Sequence, residues 1–189
     1  GVSAKYIDYL KKENFNFNNL DLSNLKMIAS TGSPLAKESF EFVYKNIKND
    51  VHLNSISGGT DVVGCLVLGN IFSNVHAGEI QGESLGIDVD IFNEKGESVG
   101  ANHKGELVIK NPFPTVPIKF WNDMNNKKIK KAYFSKYKNV WYHGDFIQKT
   151  QNGGFIMLGR SDTTLNPGGV RMGTAEIYRQ VENIEFVRE

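Results

Sequence analysis

Cysteine occurs once in this 189-residue chain, at Cys65, so no internal disulfide can form and no cysteine-based zinc site is available. Neither charge sign dominates: 22 Lys+Arg stand against 21 Asp+Glu, a formal +1, which gives no field to hold a polyanion. No apolar run is long enough to cross a bilayer as a helix, and no basic-then-apolar leader stands at Gly1. The expected localisation is therefore cytoplasmic. The four histidines, His52, His76, His103 and His143, lack zinc-ligand spacing and read as structural. Internal repeats and low-complexity tracts are absent as well.

Glycine is in excess, with 19 residues, about 10% against the usual ~7%. The composition is otherwise that of an ordinary globular protein, 40% hydrophobic and 23% charged. The length suits one domain, or one domain and a piece of another. Both ends read as truncated. Tyr6, Ile7 and Leu10 open the chain in a helical pattern with no starting Met, and the apolar stretch Val181, Ile184, Phe186, Val187 is cut off at Glu189.

After that opening helix, an Asn-rich loop leads to Leu25–Ala29, a short apolar run that fits a buried strand. It closes on Ser30-Thr31-Gly32-Ser33-Pro34. A helix is expected next, with Pro34 at its first position and Leu35, Phe42, Val43 and Ile47 on one face. Val51–Ile56 reads as a second strand, closing on Ser57-Gly58-Gly59-Thr60-Asp61. This is a βαβ unit, and ligands gather at the carboxyl ends of its strands. From Leu85 to Ile109, alternating runs separated by turn residues predict antiparallel hairpins or a small barrel. Trp141–Thr150 and Phe155–Leu158 flank Asn152-Gly153, a tight-turn pair with positive φ angles. A last helix is expected near Thr174, with Glu176 in its first turn.

Three motifs carry chemistry. In Ser57–Asp61, bare glycine backbone lets a ligand approach closely, and a hydroxyl beside a carboxylate suits a phosphate-bound Mg²⁺. The alternative is a plain turn capped by Thr60 or Asp61. Trp141, His143 and Asp145 alternate along a strand and share a face, where a carboxylate at a strand end can accept two hydrogen bonds from a ribose diol. The bland reading makes Asp145 a turn cap and His143 a core histidine. In the long motif Gly159–Ile177, Arg160 and Arg171 lie on either side of a Gly-Gly turn and can bracket a nucleotide. The alternative there is a charged surface loop.

Taken in order, Thr31–Pro34, Ser57–Asp61, His143–Asp145 and Gly159–Ile177 resemble the motifs of the adenylate-forming acyl-CoA synthetases, and the resemblance covers essentially the whole chain. Gly78-Glu79-Ile80-Gln81, Phe120-Trp121-Asn122-Asp123 and Asn166-Pro167-Gly168-Gly169-Val170-Arg171 are similar to the acetoacetate-activating branch more than to the acetate and propionate ones. The implied fold is α/β, a fragment of the large N-terminal domain with the start of the small C-terminal one. Residues 1–75 would be the α/β part of the AMP-binding domain, 76–160 its β-rich part, and 161–189 the hinge and start of the C-terminal domain.

The resemblance also implies roles. Gly32, Ser33 and Pro34 would line adenine. Gly59 would lie beside the nucleotide, Thr60 would contact the α-phosphate, and Asp61 would hold Mg²⁺. Asp145 would clamp the ribose diol with Arg160 beside it, and Asp162 would be the hinge. Arg171 would pair with phosphate, and Gly168 and Gly169 would make room for the pantetheine arm of CoA. ATP/AMP, Mg²⁺ and CoA are thus the implied cofactors. The implied partners are small-molecule substrates and the rest of the chain, with no nucleic acid and no membrane span. Two departures stand out. Thr163 replaces a second Asp found after the hinge in many relatives. Gly58 stands where acetate-specific relatives place a Trp, which favours an acid larger than acetate, such as acetoacetate, butyrate or a branched acid. Thr31 would then offer its hydroxyl to a keto oxygen.

The family's phosphate-cradling loop is expected upstream of Gly1 and its catalytic lysine beyond Glu189, so this stretch alone is expected to be inactive. Three alternatives remain: a short- or medium-chain acyl-CoA synthetase, a non-catalytic remnant, and a nucleic-acid-binding module. The last would use Lys127, Lys128, Lys130, Lys131, Lys136 and Lys138 with Tyr133, Phe134 and Tyr137. An amphipathic helix with Ile129, Ala132 and Tyr133 inward is favoured over it. A carrier-protein-loading adenylation domain fits less well.

Overall fold

A computed structural model describes residues 1–163, 165, 172–181 and 184. Helix α1 (Ala4–Lys12) comes after the short strand β1 (Val2–Ser3), and Ser3 Oγ caps it by accepting the Tyr6 N–H at 3.1 Å. Its buried stripe is Ala4, Ile7 and Leu10, whereas Tyr6 is half exposed. Strands β2 (Met27–Thr31) and β3 (His52–Ser55) run parallel, with β1 parallel on the other edge of β2. The crossover between β2 and β3 is α2 (Lys37–Phe42), continued by a π-helical turn at Val43–Ile47. Pro34 precedes this helix rather than opening it, because Ala36 is the cap residue. The buried face accordingly centres on Leu35, Phe40 and Val43, and Phe42 is only partly covered. These residues pack with Ala4, Ile7, Val51 and Leu53 into the first core.

The second part is antiparallel. Strands β4 (Ser57–Gly59), β5 (Gly64–Leu68) and β6 (Gly82–Glu83) make one small sheet. Strands β7 (Val89–Phe92), β8 (Lys104–Ile109), β9 (Trp141–Lys149) and β10 (Phe155–Arg160) make an open four-stranded sheet in the order β10-β9-β8-β7. A pair of 2.8 Å backbone bonds between Ile80 and Phe155 continues the pairing beyond β10. The second core joins Leu66, Ile91, Leu107, Ile147 and Phe155 with Val62 and Val67.

The β9–β10 turn differs from the two-residue type. Only Gly153 has positive φ, +83°, and Asn152 does not. Thr150 accepts the Gly153 N–H and donates to Gly154 O, which is a longer loop with one left-handed glycine. Helix α3 (Lys127–Tyr133) lies between β8 and β9, and α4 (Thr174–Val181) comes after β10 as expected, with Glu176 in its first turn.

Candidate active site

The parallel strands β2 and β3 deliver two of the motifs to neighbouring carboxyl ends, where Ile56 N–H donates to Ser30 O at 2.9 Å. Thr31 ends β2, and the segment from it through Pro34 is exposed. Gly32 has φ +90° and open space where a side chain would stand. Flat, uncrowded backbone of this kind can receive an aromatic base.

Past β3 the chain turns into β4. Gly58 sits opposite Cys65 of β5, and a Cβ there would run into Gly64 O and Cys65 Cα. Glycine at 58 is therefore required by strand approach. Burial pushes the Cys65 thiol above its usual range. A Cβ on Gly59 would strike Asp61 Oδ1 and come within 3.1 Å of His143 Cε1. Thr60 is exposed and Asp61 half-buried. Asp61 Oδ1 accepts the Val62 N–H at 3.1 Å and Oδ2 accepts the Tyr133 hydroxyl at 2.5 Å.

Strand β9 brings the third element. Its pairing with β8 shifts between Tyr142 and Phe146, around Gly144 at φ +85°. Trp141, His143 and Asp145 are all buried on the shared side. Trp141 Nε1–H donates to His143 Nδ1 at 3.3 Å, and His143 Nε2 faces Asp145 Oδ2 at 3.8 Å. Arg160, at the end of β10, donates through Nη1 to Asp145 Oδ1 and to His143 O, both at 3.1 Å. Burial raises the Asp145 pKa; the His143 imidazole and the Arg160 guanidinium pull against it, while the charge of Asp61 adds to it. Asp61 and Asp145 thus belong to one electrostatic cluster, although 84 residues separate them.

Tyr133 is a site member that sequence reasoning misses, whereas Trp141 is already legible as sharing the face of His143 and Asp145. The Tyr133 ring stacks on Trp141 at 3.7 Å and 12°. Burial, then the hydrogen bond to Asp61, raises its pKa, so the phenol stays protonated and donates. An inward tyrosine needs a partner for its hydroxyl, and that is the available signal. Ala132, expected inward, is exposed, and only Ile129 of α3 is fully buried. Phe134 packs edge-on against Trp141 and Tyr137 is buried with its hydroxyl on Asn93 O. The aromatics among the lysines thus face inward and offer no base-stacking platform. A concavity of about 770 Å³ beside α3, lined by Pro117, Ile118, Lys130 and Lys138, includes none of Asp61, Asp145 and Arg160.

Asp162 lies exposed in a 3₁₀ turn, Ser161–Thr163, with its carboxylate 3.7 Å from Arg160 Nε. On one side of this turn, Ser161 Oγ donates to the buried carboxylate of Glu106. On the other, α4 docks on β10, with Thr174 against Gly159 and Arg179 donating to Met157 O at 3.2 Å. Gly168, Gly169 and Arg171 lie outside the described residues. No group of three His, Cys, Asp or Glu able to hold a metal occurs among the described residues. Asp61 nonetheless suits Mg²⁺: it is a hard oxygen donor, each oxygen carries one hydrogen bond and keeps a free lone pair, and Thr60 is adjacent. Mg²⁺ is commonly bound by one or two carboxylates together with phosphates and waters.

This fold is similar to that of the adenylate-forming acyl-CoA synthetases. It superposes on the acetoacetyl-CoA synthetase of Streptomyces lividans with a TM-score of 0.90 at 39% identity, covering 99% of this chain and 29% of that one. Within that class the similarity is to acetoacetyl-CoA synthetases. Over its whole length the chain is 55% identical to that of Rhizobium meliloti and 47% identical to that of Gallus gallus, and it spans 29% and 28% of their lengths. The anthranilate CoA ligase AuaEII, in complex with anthranoyl-AMP, shares the fold with a TM-score of 0.80 at 19% identity, over the whole of this chain and 34% of that one. No protein-family model matches the chain.

Proposed function

We propose that the protein carrying this chain is an ATP-dependent ligase that activates acetoacetate as acetoacetyl-AMP and transfers it to CoA, releasing AMP and pyrophosphate. The observation that carries this reading is the meeting of Asp61, His143, Asp145 and Arg160 in one cluster. The 55% identity to an acetoacetyl-CoA synthetase supports the substrate.

In this reading Gly32, Ser33 and Pro34 take the adenine face, and Asp145 accepts from the ribose diol. Arg160 holds the Asp145 carboxylate in place and keeps part of its positive charge toward the nucleotide. Gly59 lets the phosphate approach the backbone, and Thr60 offers a hydroxyl to the α-phosphate. Asp61, with Thr60 beside it, holds Mg²⁺, which when bound supplies charge neutralisation as pyrophosphate departs. Asp162 is the point about which the small domain swings, because a few φ/ψ changes at the end of an element can reorient a whole domain. Arg171 pairs with phosphate, and Gly169 leaves room for pantetheine.

Joining phosphate to the carboxylate makes the acyl carbon electrophilic, and the CoA thiol then displaces AMP. Thr31, exposed at the end of β2, donates to the keto oxygen. A Thr31→Val variant with unchanged preference for acetoacetate over butyrate rejects that role. No helix among the described residues is long and apolar enough to cross a membrane. A cytoplasmic enzyme of ketone-body and lipid metabolism fits the substrate chemistry. Acid-dependent ATP–pyrophosphate exchange by the full-length protein tests the reading, with CoA-dependent AMP release as its second step.

A further inference from the structure

Residues 72 apart in sequence, Tyr133 and Asp61, are joined by a hydrogen bond of 2.5 Å. The tyrosine is held from several sides. It closes α3, it stacks on Trp141 at 3.7 Å, and Phe120 packs edge-on against it at 5.8 Å. Trp141 in turn donates to His143, which faces Asp145. A rigid row of rings, Tyr133, Trp141 and His143, thus runs from the Asp61 carboxylate to the Asp145 carboxylate.

We infer that Tyr133 is a positioning residue for Asp61, fixing which way its carboxylate presents its free lone pairs, and that the ring row sets the spacing between the phosphate and ribose subsites. This rests on the reading of Asp61 as the Mg²⁺-holding group. The Asp61 side chain has two torsions, and the Val62 N–H on Oδ1 restrains one edge only. The phenol on Oδ2 removes the remaining rotation. Carboxylates that hold metals depend on such outer partners, whose loss commonly costs 10–100-fold in metal affinity.

Tyr133→Phe keeps the stack on Trp141 and deletes the hydroxyl alone, so it serves as the test in the full-length protein. Two quantities are read: Mn²⁺ retained in the presence of ATP, by electron paramagnetic resonance with Mn²⁺ standing in for Mg²⁺, and AMP affinity without metal, by calorimetry. The expected result is a loss of metal affinity of about tenfold with AMP affinity unchanged. In an Asp61→Asn background Tyr133→Phe adds nothing further, because the phenol acts through that carboxylate. Metal retention equal to wild type in Tyr133→Phe, or full additivity of the two substitutions, overturns the role and leaves the proposed function standing. A wild type that retains no metal with ATP while still catalysing exchange removes Asp61's metal role and the inference with it. A wild type without acid-dependent exchange removes the proposed function itself.

Discussion

The guanidinium of Arg160 reaches Asp145 at 3.1 Å by lying directly across the backbone of Gly144, so that a Cβ at residue 144 would come within 2.6 Å of Arg160 Nη2. The glycine is needed twice over, since its φ of +85° is one that side chains other than glycine rarely adopt. The bond and the bare backbone beneath it form a unit, built where β9 slips in register against β8.

Gly144→Ala is therefore expected to act on the site as well as on the fold. Left-handed backbone costs a non-glycine residue about 1–2 kcal/mol, and displacing Arg160 loosens its grip on Asp145. Calorimetry should show weaker AMP binding and thermal unfolding should come earlier. Unchanged AMP affinity contradicts the placement of Arg160.

Asp145 gives a pH dependence of defined sign. Its native pKa lies above the ordinary 3.8, burial being the main cause. The native state then holds the proton more tightly than the unfolded chain. Stability from this group rises as pH falls from the native pKa toward 3.8, and is lost as pH rises through the native value. Asp145→Asn removes this contribution, so unfolding free energy relative to wild type should favour the variant most at neutral pH and least near pH 4. AMP binding by wild type should weaken on the same acid side, where the protonated carboxyl stops accepting from two hydroxyls. Denaturation and AMP titration at matched pH values check both arms.

Glu106 is 1% exposed and takes Lys136 at 2.5 Å as well as Ser161, which opens the turn containing Asp162. Lys136 also lies 4.6 Å from the Tyr142 ring centre. Lys136→Met leaves a buried carboxylate with less compensation. Loss of a fully buried partner costs about 3–5 kcal/mol; with Lys136 a third exposed, about 1–2 kcal/mol is expected after screening. Pairing the change with Glu106→Gln should recover part of that loss in chemical denaturation, whereas additive losses contradict the buried pair.

The reach of the sequence can be judged from particular residues. Periodicity and turn chemistry are enough for β2, β3, the β9–β10 hairpin and α4, because each is set by local pattern. The starts of elements are less legible: Pro34 has the character of a first helical residue, but Ala36 is the cap, and Asn152 shares none of Gly153's left-handed geometry. Asp61, Asp145 and Arg160 can be picked out one by one, from strand ends and glycine-rich turns. Their meeting cannot be read, because it depends on tertiary packing of β4 beside β9. The same holds for Tyr133, whose role is defined by a partner 72 positions away. At Gly58, residue type alone does not show that the close approach of β5 requires a glycine there.

The measurement that bears most directly on the proposed chemistry is ATP–pyrophosphate exchange by the full-length protein with acetoacetate, acetate, propionate and butyrate in turn, then CoA-dependent release of AMP. Exchange is predicted to be strongest with acetoacetate, to be abolished by Asp61→Ala, and to give way to AMP release once CoA is added. Exchange strongest with a simple fatty acid would contradict the substrate, and no exchange with any acid would contradict the adenylating function.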